Sequence, residues 1–294
     1  MKHKGLNFSD RIYNNYLRIR FYIIRHFLPH LLNNNSDFNK RGWVNTFNDD
    51  FDKVSWGAKQ DNKKWIIGEH WGQYHPNNRF MYFAPPKAIK DSCAVMTIEY
   101  NPKGFIRDGE KFTIPFSASW LSTARSFRQK HGRFECRMSL PKEPWTWPAF
   151  WTWGPTWPPE IDVIEAYGRK DGRDVVNQEI NLHWGKREDN TKDAMNPWII
   201  KVDDWDEDLN NRFHEFAVEW LDDKIDIFVD GIHVFRFRNK EILDKFFNNG
   251  PQWVLVNHNI QGVHIPKEEY EDYYSEFLVD YVRVYKKINE RFGR

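Results

Sequence analysis

The sequence predicts an all-β fold, a sandwich or jelly roll built from many short strands. From about Trp43 onward, short runs rich in β-branched and aromatic residues are separated by Gly, Pro, Asn and Asp. The 294 residues include 23 Phe, 15 Trp and 12 Tyr, types that favour strands. Asp230-Gly231, inside VDGIH, is a strong signal for a tight turn between two strands.

The N-terminal segment, residues 1–36, is predicted to be helical and to end at the turn-forming run LLNNNSDFN. Its apolar stretch YLRIRFYIIRHFLPHLL is interrupted by Arg18, Arg20, Arg25 and His26 and has no small-residue cleavage site, unlike a secretory signal. It has the character of a basic amphipathic helix. Such a helix either packs on the domain's own surface or docks a partner or a membrane surface. No run approaches 18 apolar residues, so no transmembrane helix is expected.

Residues 37–294 are predicted to form one large β domain after this extension. The predicted strands are SCAVMTIEYN, GRFECRMSLP, EIDVIEAYG, EINLHWG, the pair within FHEFAVEWLDDKIDIFVDGIHVFRF, QWVLVNHNI and FLVDYVRVY. NKEILDKFFNNGP is the one helical candidate inside the β region.

Composition excludes several other classes of protein. The 43 basic and 42 acidic residues leave a net charge of +1, so a broad nucleic-acid-binding surface is not expected. Two cysteines are too few for a disulfide scaffold or a zinc site. Cys136 alternates with Phe134, Met138 and Leu140 as on a core face, which favours buried free thiols over a Cys93–Cys136 bridge. We expect a monomer.

Three carboxylates lie within six residues in WPPEIDVIEAYG, among apolar and aromatic neighbours. On a strand, Glu160 and Asp162 share one face, and Ile161 shares the other with Val163. A strict period of two would put Glu165 on the core face, where an ionised carboxylate is costly. A β-bulge around Val163 and Ile164 would return it to the face of the other acids. An acidic edge strand facing solvent is the alternative.

A second strand, QEINLHWG, supplies polar neighbours for these acids. Ile180 and Leu182 alternate as core residues, so Asn181 and His183 point the other way. If the two strands are neighbours, Asn181 and His183 line the surface that carries the acids and become candidate substrate-binding residues.

Two neighbouring carboxylates, with a third that adjusts their pKa values, suit glycoside hydrolysis. One acid attacks the sugar or activates water, and another donates a proton to the leaving oxygen. Neighbouring carboxylates reach different pKa values because like charges resist joint ionisation. Metal binding by the three acids is the rival explanation, although no calcium-loop ligand set is present locally.

PEIDVIEAYG resembles the bulged E-x-D-x-x-E signature of glycoside hydrolase family 16. The resemblance extends over roughly residues 43–287, through STARSFRQKHGRFECRMSLP, WPAFWTWG, FHEFAVEWLDDKIDIFVDG and FLVDYVRVYKK. It implies a jelly roll of two antiparallel sheets with a concave substrate cleft. It also implies a retaining endo-β-glycosidase in which Glu160 is the nucleophile, Glu165 the acid/base and Asp162 the helper between them.

The family resemblance implies a polysaccharide substrate, a β-glucan or a galactan with β-1,3 or β-1,4 linkages. The reaction needs no cofactor, but a structural calcium ion is expected, with Asp50 and Asp280 as candidate ligands. Most such enzymes are secreted behind a signal peptide, and this N-terminus departs from that pattern. A transglycosylase using the same covalent intermediate, or a non-catalytic carbohydrate-binding jelly roll, remains an alternative.

Tryptophans lie close to the acids in the sequence. Trp147, Trp151 and Trp153 are spaced to share one strand face, and Trp157 precedes Glu160 by three residues. A Trp ring can stack on the C–H face of a pyranose. We therefore take Trp147, Trp151 and Trp157 as candidate sugar-binding residues, whereas strand parity places Trp184 on the core side.

Overall fold

The computed structural model describes residues 5–28, 41–58, 63–69, 72–75, 79–168, 176–186, 191–201, 212–261 and 265–288. These residues form a jelly-roll β-sandwich, as the sequence predicts, preceded by helix α1 (Phe8–Phe27). No described helix combines the length and the apolar character needed to span a bilayer. The predicted boundary at LLNNNSDFN lies outside the described residues.

The sheet that carries the three acids is named here the site sheet. Its order is β12, β11, β10, β9, β16, β7, β3, β2, in which only β2 and β3 pair in parallel among the described strands. The bounds are β2 Trp56–Gly57, β3 Trp65–Ile67, β7 Glu110–Ser122, β9 Thr146–Trp153, β10 Glu160–Gly168, β11 Val176–Lys186, β12 Thr191–Lys201 and β16 Trp253–Ile260.

The other sheet, named here the back sheet, runs β15, β14, β13, β8, β17, β6, β7, β4, with β1 beside β17 and β5 beside β6. Strand β7 joins both sheets, since its first part pairs with β6 and its end with β16. The bounds are β1 Trp43–Asp49, β4 Met81–Ala84, β5 Ala88–Lys90, β6 Cys93–Arg107, β8 Gly132–Ser139, β13 Phe213–Trp220, β14 Ile225–Val229, β15 Ile232–Phe237 and β17 Tyr274–Lys287.

The main core lies between the two sheets and is filled by alternate strand residues. Phe134, Cys136 and Met138 of β8 pack there with Ile161 and Val163 of β10. Each points inward because side chains two apart share a face. Cys93 and Cys136 are both buried free thiols, as predicted.

Local signals in the sequence also match the structure. Asp230 and Gly231 have φ angles of 49° and 75° and close the β14–β15 hairpin, where Val229 pairs with Ile232. This is the left-handed geometry that an Asp-Gly turn favours. The predicted internal helix is α2 (Lys240–Lys245), followed by a short 3₁₀ turn at Phe247–Asn249; a second such turn covers Lys267–Glu269.

Helix α1 packs on the sandwich along one face. Leu6, just before it, and Phe21 and Ile24 within it join the main core. The Asn14 side chain donates to the backbone oxygen of Arg236 and accepts from its backbone nitrogen, both at 2.8 Å. Asn14 thus satisfies both backbone groups of Arg236 on the free edge of β15. The expectation that the segment packs on the domain's own surface is confirmed for this face of the helix.

Candidate active site

The three acids of β10 share the face of the site sheet that points away from the core, named here the site face. Glu160 pairs with His183 and Asp162 with Asn181, and then the register shifts so that Glu165 pairs with Glu179. Glu179, Asn181 and His183 alternate on β11 and lie on one face, so their three partners do too. The pairing of β10 with β9 shifts at the same place. The predicted bulge is confirmed.

Glu160 lies at the start of β10, and its side chain is 15% exposed. The Trp157 indole donates to its Oε2 at 2.8 Å, and His183 Nε2 lies 3.4 Å from its Oε1. Burial first, and then the charge of Asp162, raises the pKa of Glu160 well above its usual range. His183 and the Trp157 hydrogen bond oppose that rise in pKa.

Asp162 lies between the two glutamates and is 2% exposed. His183 Nε2 lies 3.0 Å from its Oδ2. Burial and then the charge of Glu165 raise the pKa of Asp162, and a hydrogen bond with Glu160 opposes the rise. A hydrogen bond between two carboxyl groups needs a proton on one of them. The arrangement therefore favours a single proton held between Asp162 and Glu160.

Glu165 is held by three donors from three different places. Oε1 accepts from the Trp147 indole at 2.8 Å and from the Tyr167 hydroxyl at 2.9 Å, and Oε2 accepts from the Asn181 amide. The rings of Trp147 and Tyr167 stack with centroids 5.1 Å apart. Burial first, and then Glu165, raises the pKa of Tyr167, so its hydroxyl stays protonated and available as a donor.

The predicted tryptophan row is present on β9. Trp147, Trp151 and Trp153 are partly exposed, whereas Phe150 and Thr152 between them are buried. Trp151 stacks on Trp153 with centroids 5.8 Å apart and an angle of 24°. These aromatic surfaces lie beside the acids, because Asp162 pairs with Trp151 and Glu160 with Trp153. That Trp147, Trp151 and Trp157 bind sugar rings stays a prediction.

Strand parity predicts the position of Trp184 correctly, whereas two residues near the acids, Tyr167 and Asn257, were missed. Trp184 is 3% exposed and packs against Phe237, which places it on the core side as predicted. Tyr167 was missed, although it lies two residues after Glu165, a spacing that predicts a shared face. Asn257 was missed as well; it accepts from the Trp151 indole at 2.6 Å. No local signal marks Asn257, because only tertiary pairing brings β16 beside β9.

One group of the described residues has the geometry to bind a metal ion. Ligand atoms of Glu160, Asp162 and His183 lie within 4.8 Å of one another. This is not the trio of acids that the sequence suggested for metal binding, because His183 takes the place of Glu165. His183 Nε2 lies 3.0 Å from Asp162 Oδ2, and this contact already brings these two ligand atoms together.

The expected calcium ligands have other partners. Asp50 accepts from the Asn48 amide and from the Arg283 guanidinium, each at 2.6 Å, and Asp280 pairs with Arg137. Guanidinium groups satisfy these carboxylates and oppose the approach of a dication. The Asp50 and Asp280 environments therefore fit a calcium ion poorly, and the ion itself stays a prediction.

Comparison with known proteins places this geometry in context. The pattern of Glycosyl hydrolases family 16 matches residues 85–279. The chain is 28% identical over 254 residues to the Endo-1,3-1,4-beta-glycanase EglC of Rhizobium meliloti (strain 1021), covering 82% of this chain and 51% of that protein. It therefore spans about half the length of that relative. It is 27% identical over 266 residues to a Beta-glucanase of Rhodothermus marinus, covering 83% of this chain and 85% of that protein.

A crystal structure shows the same fold. The laminarinase catalytic domain of Thermotoga maritima MSB8 superposes with a TM-score of 0.63 at 21% identity, over 84% of this chain and 99% of that one. The jelly-roll architecture is thus shared along almost the whole length of that catalytic domain.

Proposed function

The chain belongs to glycosyl hydrolase family 16, and we propose that it is a retaining endo-β-glucanase acting on β-1,3 or β-1,4 linkages. The observation that carries the proposal is the arrangement of the acids. Glu160 and Glu165 lie on either side of the bulge, each bound by a different indole N–H, with Asp162 between them. A nucleophile and an acid/base must face one glycosidic bond from two fixed positions.

In the first step, Glu160 attacks the anomeric carbon while Glu165 gives its proton to the departing glycosidic oxygen. Glu160 must be ionised for this attack, and the neighbouring Asp162 tunes the protonation of the pair. The product is a glycosyl ester on Glu160. In the second step, Glu165 takes a proton from water, which attacks the same carbon and releases Glu160.

The three hydrogen-bond donors around Glu165 position the carboxyl group of this proposed acid/base. Trp147, Tyr167 and Asn181 come from β9, β10 and β11, so each fixes the carboxyl group from a different strand. A carboxyl group restrained in this way stays aligned with the leaving oxygen through both steps. We expect the carboxyl groups of Glu160 and Glu165 to lie roughly 5–5.5 Å apart, the separation of retaining enzymes.

The substrate class rests on the aromatic row and on the relatives. Trp151 and Trp153 present stacked, partly exposed rings beside the acids, a surface suited to successive pyranose rings. The named activities of EglC and of the Rhodothermus marinus relative are on β-glycans and β-glucans. We therefore place β-glucans ahead of galactans as substrates, and we expect a monomer to suffice.

The test is a panel of polysaccharides with reducing-end and NMR readouts. A β-1,3-glucan, a β-1,3-1,4-glucan, a β-1,4-glucan, a neutral galactan and a sulfated galactan would be offered to the full chain. We expect oligosaccharides from at least one β-glucan, with the β-anomer appearing before mutarotation. Cleavage of galactans alone would overturn the substrate class, and an α-anomer first would overturn retention.

The alternatives give distinct results in the same assay. A transglycosylase would form longer products when a β-glucan oligosaccharide is added as acceptor and would release little reducing sugar. A binding module would retain the polysaccharide on an affinity gel and cleave none of the panel. Loss of activity on adding a chelator, with recovery on adding a divalent cation, would support a metal at Glu160, Asp162 and His183.

A further inference from the structure

Helix α1 exposes a second apolar face, opposite the one that packs on the sandwich. Its residues are between 45% and 79% exposed and recur at intervals of three or four, so they form one continuous stripe. We name this the outer stripe; it consists of Phe8, Ile12, Tyr16, Ile19, Ile23 and Phe27. It spans the 20 residues of the helix, about 28 Å along the axis from Phe8 to Phe27. Apolar patches of this extent on a protein surface mark interaction sites.

The contacts of the helix face that packs on the sandwich keep the outer stripe pointing to solvent. Asp10 is fully buried, and its carboxylate receives the Arg238 side chain at 2.8 Å and its backbone N–H at 3.0 Å. Asn14 bonds both backbone groups of Arg236, and Leu17, on the face of the helix that packs on the sandwich, is 1% exposed. With this face held by specific polar bonds, α1 cannot roll to bury the stripe without breaking them.

Arginines border the stripe on both sides. Arg11 and Arg18, seven residues apart, lie exposed along one edge and Arg20 lies exposed along the other, whereas Arg25 is half-buried over the Phe21 ring. A shallow groove beside Phe8 and Ile12 has Arg236 and Arg238 in its wall. Asp10 is the single acidic residue of α1, and its carboxylate is buried against Arg238. The exposed part of the helix is therefore apolar in the middle and cationic at its margins.

From this arrangement we propose that α1 docks the domain on an anionic lipid bilayer, lying in the plane of the interface. The outer stripe enters the boundary between headgroups and acyl chains, while the arginine aliphatic stems follow it and their guanidiniums meet lipid phosphates. Tyr16 suits that boundary because its ring is amphipathic, and Phe8 and Phe27 suit the apolar face of an interfacial helix. The proposal concerns a surface remote in sequence from the acids and does not depend on the reaction.

A second copy of the chain is a poorer occupant of the same stripe. Two helices packed stripe to stripe would bring the arginine margins of one against those of the other. No exposed acidic side chain on α1 is available to neutralise them, because Asp10 is buried. Like charges at such a contact oppose association, whereas an anionic surface attracts both margins at once.

The test uses flotation of the full chain with lipid vesicles. The stripe variant is Ile12→Gln/Ile19→Gln/Ile23→Gln, and the matched control is Val44→Gln/Val54→Gln/Ile106→Gln, which changes three comparably exposed apolar residues elsewhere. Vesicles contain either phosphatidylcholine alone or phosphatidylcholine with about one third phosphatidylglycerol. Melting curves verify that all variants fold, and sedimentation velocity without lipid gives the oligomeric state.

We expect the wild-type and control proteins to float with the anionic vesicles and to bind neutral ones far less. The stripe variant should partition on the order of tenfold more weakly or worse. Arg18→Gln/Arg20→Gln should lose about fivefold per arginine, and high salt should reproduce that loss. Equal binding by the stripe and control variants would overturn the proposal, as would absence of wild-type binding. A wild-type dimer that the stripe variant converts to a monomer would assign the stripe to a second copy instead.

Discussion

Two buried aspartates in this molecule have opposite electrostatic environments. Asp226, on β14 of the back sheet, is 1% exposed, and Asp162, on β10 of the site sheet, is 2% exposed. Burial raises the pKa of both. At Asp226, however, hydrogen bonds from Arg236, His233 and Lys224 outweigh burial and hold the pKa well below its usual range. At Asp162, the charge of Glu165 adds to burial and the pKa rises.

The two aspartates differ in the number of basic side chains that surround them. Arg236 donates to both oxygens of Asp226 at 2.6 and 2.8 Å, and Lys224 Nζ lies 2.7 Å away. Among the described residues, the one basic side chain that pairs with Asp162 is His183, which also lies beside Glu160. Removing a charge that is buried with cations destabilises the fold because it leaves the cations uncompensated, whereas acids buried together without cations have perturbed pKa values suited to chemistry. We therefore expect substitutions in the two places to separate stability from activity.

The largest expected effect is the loss of cleavage in Glu160→Gln. No glycosyl ester can form without the carboxylate, so kcat should fall by about 10⁴-fold or more on a β-glucan. Steady-state rates on that substrate provide the measurement, with Asp226→Asn as the buried-acid control that keeps its kcat. Azide added to Glu160→Ala should yield an α-glycosyl azide, identified by NMR. An active Glu160→Gln protein would show that the nucleophile lies elsewhere.

Glu165→Ala should give a loss that depends on the leaving group. On a β-glucan the rate should fall about 10²–10⁴-fold, because the departing sugar oxygen needs a proton. An aryl glycoside with an activated leaving group should still form the covalent intermediate, which then accumulates because its hydrolysis lacks a base. Azide should restore turnover and give a β-glycosyl azide. If Glu165→Ala gave the α-glycosyl azide and Glu160→Ala the β-glycosyl azide, then Glu165 would be the nucleophile and Glu160 the acid/base.

The sequence predicts the site strand well because the signals there are local. The spacing of Glu160, Asp162 and Glu165 requires a bulge once the cost of burying a charge is considered, and the register confirms it. The same parity places Asn181 and His183 beside the acids. Each of these inferences uses only the period of a strand and the polarity of its neighbours.

What the sequence does not reveal depends on contacts between distant residues. Asp226 and Asp162 look alike in the sequence, and only tertiary structure shows which of them meets cations. The sequence predicts Asp50 as a calcium ligand, and only the structure shows that Arg283, far along the chain, binds its carboxylate. The sequence also does not show that α1 has two apolar faces with different surroundings. An apolar helix pattern fits packing or docking equally well, and only the contacts of Asp10 and Asn14 identify the face that packs on the sandwich.

Asp226→Asn should lower stability and leave catalysis intact. The amide weakens the charged hydrogen bonds from Arg236 and Lys224, so the free energy of unfolding should fall by about 2–3 kcal/mol. Urea denaturation at pH 7 provides the measurement, and kcat below the unfolding transition should match the wild type. The matched control is Asp223→Asn, an exposed aspartate three residues earlier, which should stay within about 0.5 kcal/mol. A fall in kcat for Asp226→Asn in the folded range would show that the two regions are not independent.

The smallest effect, and the sharpest separation of the two regions, is the pH dependence of stability. Because the pKa of Glu160 is raised above its ordinary 4.5, the folded state binds this proton more tightly than the unfolded chain does. That contribution to stability is complete below the unfolded pKa and is lost as pH rises through the folded pKa. Glu160→Gln carries no such loss.

Glu160→Gln should therefore be more stable than the wild type at pH 7, and the gain should disappear towards pH 4. The pH dependence from Asp226 has the opposite sign, because its pKa is lowered on folding. Its contribution to stability is complete above the ordinary 3.8 and is lost as pH falls from there through the folded pKa. The deficit of Asp226→Asn should thus stay nearly constant between pH 4 and 7. Urea titrations of both variants and the wild type across that range provide the measurement. A Glu160→Gln protein that is less stable than the wild type at pH 7 would mean that the Glu160 carboxylate is compensated much as Asp226 is, and the contrast between the two sheets would fail.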